Sequence, residues 1–288
     1  MNNDKAVNIV SLITENYLAN KGIFSTTEDL LEFQIPKDIE YGSKEHARFY
    51  FYLIFNDHGT KSRNLYMKFK ELYNNTENLF SPSDIINNFK DNENLLKESY
   101  LSNLGLRYPT QAAKSWISNS EMLISRYNGE PINLYNSTSN AVELFKRIKN
   151  FRSYGPKTSG LLLRVIRGVG FNRNLSHITD VPLPVDIHDS RIAFMCGIYK
   201  PDGIDDIYNI YSNPKHIQRI EKIWREAAKE SGVKWVDIDR ALWLLGSKGC
   251  VNKLCIECPI NQYCKTGRSF SNEKGQLNLF DHSTLQHR

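Results

Sequence analysis

Four of the five cysteines in this 288-residue chain fall within fifteen positions, as Cys250-x4-Cys255-x2-Cys258-x5-Cys264. Thiols so close in sequence can share one centre only if the backbone wraps around it, and Pro259 after the third cysteine favours such a wrap. The clustering argues against a disulfide framework and for a bound metal in a reducing compartment. Tetrahedral zinc and a cubane [4Fe–4S] cluster both take four thiolates. Zinc ribbons separate two CxxC knuckles widely, whereas here one CxxC is flanked closely on both sides, which favours the cluster while leaving zinc open. Four cysteine ligands leave no open position, so the centre is structural or a redox reporter and not hydrolytic.

The remainder of the chain must supply the core. Hydrophobic residues make up 40% of the sequence, which excludes global disorder. The segments Ala6–Leu18, Arg48–Phe55, Leu65–Tyr73, Ala112–Arg126, Ala141–Ile148, Ser159–Ile166, Ile217–Ala228 and Val236–Leu245 carry apolar residues at three-and-four spacing, the mark of amphipathic helices. Turn signals at Tyr127–Pro131, Pro201–Gly203 and Ser212–Pro214 separate them. No run alternates as a strand does, so the expected fold class is all-α. The N-terminus lacks the basic start and apolar run of a secretory signal, and no stretch has 18 uninterrupted apolar residues, so no membrane span is expected. A net charge of +5 suits a polyanionic partner.

Between two of these helices lies Phe151-Arg152-Ser153-Tyr154-Gly155-Pro156-Lys157-Thr158-Ser159. Gly155 can take φ > 0 and let the backbone approach a phosphate. Pro156 suits the first turn of a helix, whose exposed N–H groups bind an anion. Lys157 then places a cation where the helix dipole opposes it, a local violation that hints at function. That field favours a neutral amine, which can attack a sugar C1′ and form a Schiff base. By itself the lysine reads better as a phosphate contact beside the hairpin. Downstream, Asp186 in Val185-Asp186-Ile187-His188-Asp189 is suited to N-cap a helix, with Asp189 at N3 as a near capping box. The pair Gly168-Val169-Gly170 is expected to be a loop.

These motifs resemble the endonuclease III-like helix–hairpin–helix (HhH-GPD) DNA glycosylases. Trp243-Leu244-Leu245-Gly246-Ser247-Lys248-Gly249-Cys250 is similar to the helix leading into that family's C-x6-C-x2-C-x5-C cluster, with a first loop shorter by two residues. Residues 151–159 resemble the family hairpin LPGVGxKTA, with Ser153 in place of its first glycine. Val185–His188 resembles its V-D-T-H. The resemblance implies that Lys157 is the nucleophile, and that Asp186 stabilises the positive charge developing at the sugar. It implies DNA contacts from Ser153, Tyr154, Gly155 and Thr158, and a [4Fe–4S] cluster on Cys250, Cys255, Cys258 and Cys264. Leu104-Gly105-Leu106-Arg107-Tyr108 is similar to the family's I-G-L-Y-N stretch, whose leucine wedges into DNA where a base leaves. Leu106 is the candidate here and Tyr108 its rival, or the segment is simply a turn between barrel helices. Asn56-Asp57-His58 stands where the family has the glutamine that fills the vacated base position. Asp57 aligns with it, and His58 or Asn56 are alternatives.

The fold so implied is two-lobed. A six-helix barrel over residues 41–172 ends in the hairpin, residues 1–40 with 173–270 form the iron–sulfur domain, and 271–288 form a flexible tail. In that tail Gln276-Leu277-Asn278-Leu279-Phe280 resembles the bacterial sliding-clamp-binding pentapeptide, with Gln276, Leu277, Leu279 and Phe280 as anchors. The implied function is base-excision glycosylase action on double-stranded DNA with associated AP lyase chemistry. The implied protein is a monomer in the bacterial cytoplasm, associated with the nucleoid and no membrane. Two other readings stay open: a non-catalytic helix–hairpin–helix DNA-binding protein and a zinc-stabilised nucleic-acid-binding protein. The departures around Asp57 leave the excised base unassigned.

Overall fold

A computed structural model describes residues 3–57 and 61–267. His58 and the pentapeptide at 276–280 lie outside the described residues. Those described contain helices and no strand, with one isolated bridge between Asn140 and Ser176. They form two compact units, 28–184 and the combination of 3–27 with 185–267. The sequence reading divided the chain at 40/41 and 172/173 instead.

The combined unit opens with α1 (Asn3–Leu18). The unit 28–184 holds α2 (Lys44–Ile54), α3 (Ser62–Asn75), α4 (Pro82–Phe89), α5 (Glu93–Leu96), α6 (Pro109–Tyr127), α7 (Pro131–Tyr135), α8 (Ala141–Lys149) and α9 (Pro156–Val169). Every residue from Phe49 to Phe55 is at most 1% exposed. A helix with no polar face must be enclosed on all sides, so α2 is the axis of this unit. Its tyrosines enter the core only because each hydroxyl is satisfied: Tyr50 donates to the Leu31 carbonyl at 3.0 Å, and Tyr52 meets Ser120 Oγ at 2.6 Å. Tyr52 also packs on Trp116 of α6, with ring centroids 4.5 Å apart. Leu30, Leu31 and Glu32 are buried here, Glu32 by pairing with Arg164 of α9 at 3.0 Å. At the other end Gly160 of α9 lies so close to Pro182 and Pro184 that a Cβ would meet them at 3.2–3.4 Å. These contacts carry the unit beyond both sequence-derived limits.

The second unit continues with α10 (Ile187–Met195), α11 (Ile207–Tyr211), α12 (Pro214–Glu230) and α13 (Trp235–Leu244). α1 packs on α12 and α13. α13 then widens into a π-helical turn, Leu245–Cys250, a form found most often at functional sites. No helix among the described residues is long and apolar enough to cross a membrane.

Candidate active site and candidate metal centre

The helical periodicity places α8 and α9 where the sequence puts them, and the six residues between them form the hairpin. The left-handed residue is Ser153, at φ +65°, and not Gly155, at φ −85°. Nothing lies within 4 Å of where a Gly155 Cβ would be, so the space before the first turn of α9 is open. Ser153 is held by Ser115 Oγ at 2.7 Å, and Asn119 of α6 clamps Arg152 through both its backbone N–H and its carbonyl. The Thr158 hydroxyl accepts from the Gly155 N–H at 2.9 Å, closing the first turn of α9. Tyr154 is a core residue, its hydroxyl donating to the Phe51 carbonyl at 2.7 Å. Tyr154 and Thr158 are 4% and 0% exposed, so only their backbone is available to a phosphate. α9 runs through Gly168 and Val169 to a left-handed cap at Gly170, which corrects the expected loop.

Lys157 occupies the first turn of α9, with 29% of its side chain exposed. Its Nζ stands 4.0 Å from Oδ2 of Asp57. Asp57 is only 4% exposed and accepts hydrogen bonds from Ser62 Oγ at 3.0 Å and Tyr66 OH at 3.4 Å. A side chain so enclosed does not reach into a base stack, which corrects the DNA-filling role expected for it. Asn56 is likewise buried, its amide bonded to the Tyr52 carbonyl. Sequence comparison placed Asp57 in the right neighbourhood, but its contact with Lys157 exists only once α2 and α9 are packed.

Leu106 is half-buried and Tyr108 is 56% exposed, and the Arg107 guanidinium lies 5.3 Å over the Tyr108 ring. Beside them opens a groove of about 460 Å³ whose lining includes Lys61, Lys68, Leu104 and Arg107. Three cations around one depression suit a polyanion.

In the other unit Asp186 caps α10 as its sequence implied. Its Oδ1 accepts from the His188 N–H at 2.6 Å, while its own N–H donates to Asp189 Oδ2 at 2.7 Å. Asp186 is 6% exposed. Burial, with the charges of Asp186 and Asp239, holds the Asp189 carboxyl well above the usual carboxylate range. α10 is held against the π-helical turn at Gly246, where a Cβ would sit 2.4 Å from His188 Cβ.

Cys250, Cys255, Cys258 and Cys264 line one cavity together with Cys196, Arg191 and apolar side chains. Burial pushes the Cys250 thiol up to about 12 and the Cys258 thiol to about 11, and it raises Cys255. A hydrogen bond to Cys264, with burial, raises Cys196 further. The thiols of Cys250, Cys255 and Cys258 thus resist ionisation unless a cation offsets the charge. Arg191 Nε is buried with no hydrogen-bond partner among the described residues, so an uncommitted donor borders this cavity. Yet no group of three or more His, Cys, Asp or Glu among the described residues is placed to hold a single metal ion. Zinc needs four sulfurs at about 2.3 Å from one point, whereas a cubane binds each sulfur to a different iron. Four thiols lining one apolar cavity are a donor set that either group accepts. Cys196 and Arg191 were not singled out in the sequence; their signal was an unassigned fifth cysteine and an arginine five residues past Asp186.

Residues 162–267 match the family model AGOG, N-glycosylase/DNA lyase. The matched segment contains Asp186 and all four clustered cysteines, and it begins five residues after Lys157. A solved structure of a trapped endonuclease III–DNA covalent intermediate, an estranged-adenine complex, matches with a TM-score of 0.54 at 14% identity, covering 94% of this chain and 99% of that chain. No curated protein matches the chain in sequence. The fold is therefore the all-α fold of that endonuclease III structure. The family-model match, over its shorter stretch, is to the N-glycosylase/DNA lyases.

Proposed function

We propose that this protein is a base-excision DNA glycosylase with associated lyase activity, and that Lys157 is its nucleophile. The observation that carries the reading is Lys157 in the first turn of α9, directly behind the hairpin and beside a buried carboxylate. The backbone from Ser153 to Thr158 holds the DNA phosphate, and Leu106 or Tyr108 fills the space a departing base leaves. The neutral Lys157 amine attacks C1′, the base departs with the glycosidic electron pair, and the resulting imine permits β-elimination of the 3′ phosphate. Asp186 offers a negative charge to the sugar as its positive charge develops.

The four clustered cysteines hold a [4Fe–4S] cluster in this reading. The Arg191 charge favours the ionised form of Cys250. When bound, the cluster ties the end of α13 to the following loops and supplies no hydrolytic chemistry. Double-stranded DNA with a damaged or modified base is the substrate, and a sliding clamp engaged through Gln276, Leu277, Leu279 and Phe280 is a proposed partner.

The test is borohydride trapping on duplexes carrying oxidised, deaminated, alkylated or abasic sites. Borohydride reduces the imine to a stable bond, so the protein becomes covalently attached to its DNA. Lys157→Ala is expected to abolish trapping and keep DNA affinity, because the hairpin amides remain. Asp186→Asn keeps the helix cap and is expected to slow turnover by 10²–10³-fold. DNA binding with no base release and no trapping across the panel would leave the non-catalytic reading in its place.

A further inference from the structure

A lysine nucleophile must shed a proton before it attacks, and the unit that carries Lys157 holds a carboxylate beside it. Asp57 follows the last turn of α2, its N–H bonded to the Ile54 carbonyl at 3.1 Å. Its side chain is 5% exposed, and two hydroxyls donate to it, Ser62 through Oδ1 and Tyr66 through Oδ2. A carboxylate so buried is sustained by hydrogen bonds and a countercharge. The charged and titratable groups around this point come from three elements. Tyr66 on α3 is held well above the usual phenol range by burial and by Asp57, so it remains a donor. Arg164 on α9 and Glu32 are both buried and neutralise each other at 3.0 Å. Lys157 on α9, at 4.0 Å, supplies the countercharge to Asp57.

We infer that Asp57 is the proton acceptor that converts the Lys157 ammonium into the attacking amine. The inference rests on Lys157 being the nucleophile. Asp57 takes one N–H proton, and the freed lone pair forms the bond to C1′. The electron pair of the C1′–base bond leaves with the base, which takes up a proton from water. The alkylated nitrogen passes one proton to O4′ as the C1′–O4′ bond opens, which leaves the protonated imine. Asp57 then returns its proton to water. The two hydroxyls keep the carboxylate aimed at the amine.

An abasic-site duplex tests this without knowledge of the excised base, since its aldehyde condenses with the same amine. Single-turnover trapping rates are measured from pH 5.5 to 9.5 for the parent, Asp57→Asn, Asp57→Glu, Tyr66→Phe and Lys157→Ala, with DNA affinity and melting temperature alongside. Asp57→Asn is expected to bind DNA within about twofold of the parent and to trap about a hundredfold more slowly at pH 7. That deficit should shrink as pH climbs towards the range near 10 where a lysine deprotonates unaided. Asp57→Glu should regain part of the loss. Should Asp57→Asn fail to fold, Tyr66→Phe still decides the matter: removing one donor should move the acid limb of the trapping profile to higher pH, and an unmoved limb overturns the inference. Faster trapping by Asp57→Asn at pH 7 would mean that Asp57 only holds the ammonium charged. A deficit equal at every pH, with a lowered melting temperature, would mean a packing role. Either result overturns the inference and leaves Lys157 standing as nucleophile, whereas a parent that forms no covalent product overturns both.

Discussion

At Ser153 the backbone stands at φ +65°, a conformation that costs a non-glycine residue about 1–2 kcal/mol. The hairpin tolerates it because Ser115 and Asn119 hold both sides of the turn. Asp189 bears a different load. Its folded carboxyl is raised by burial and by Asp186 and Asp239, against an unfolded value near 3.9. An acid raised on folding contributes stability that is complete below the unfolded value and fades as pH rises through the folded one. Asp189→Asn keeps the acceptor for the Asp186 N–H and removes the ionisable group. Its stability relative to the parent should therefore be greater at pH 8 than at pH 4, read as urea midpoints at the two pH values. An identical difference at both would sink the assignment. The capping pair Asp186 and Asp189 was legible in the sequence because capping depends on spacing alone. Asp57 was legible only as a position, since its partner Lys157 lies a hundred residues away. Direct sequence reasoning cannot see a contact that exists only after packing.

Long helices announced themselves by their apolar spacing, and α1, α2, α3, α6, α8, α9, α12 and α13 all lie where that spacing put them. α4 and α10 were not read from that spacing, although α8 at nine residues is no longer than α10, so length alone does not decide which helices stand out. α10 matters most, since its N-terminus presents Asp186. What fixes its seat is the missing side chain at Gly246, where an added Cβ would meet His188 Cβ at 2.4 Å and Cα at 3.0 Å. Backbone atoms cannot step aside as the tip of a flexible side chain can. Gly246→Ala should cost about 1–3 kcal/mol by overpacking and lower abasic-site trapping by displacing the cap of α10, with iron content unchanged. Parent-like melting and parent-like trapping together would show that the turn yields and that Gly246 has no part in seating Asp186.

Across the whole molecule the cysteine cluster answers a different need from the aromatic core. The unit 28–184 is stabilised by a continuous buried run of aromatic and aliphatic side chains around α2. The other unit encloses thiols that burial drives away from ionisation, alongside an Arg191 Nε that has no hydrogen-bond partner among the described residues. In the proposed reading, a cluster with four thiolates would carry net negative charge beside this guanidinium, and wrapping Cys250–Cys264 around it would convert metal affinity into folding free energy. The protein should therefore purify brown with about four irons per chain. Cys258→Ser should lower the melting temperature and iron content together, while the protein that remains folded keeps its abasic-site trapping, because Lys157 and its hairpin belong to the other unit. Stoichiometric zinc without iron would sink the cluster. Loss of trapping in fully folded, iron-depleted protein would instead show that the cluster's hold on the second unit, and so on Asp186, reaches the chemistry.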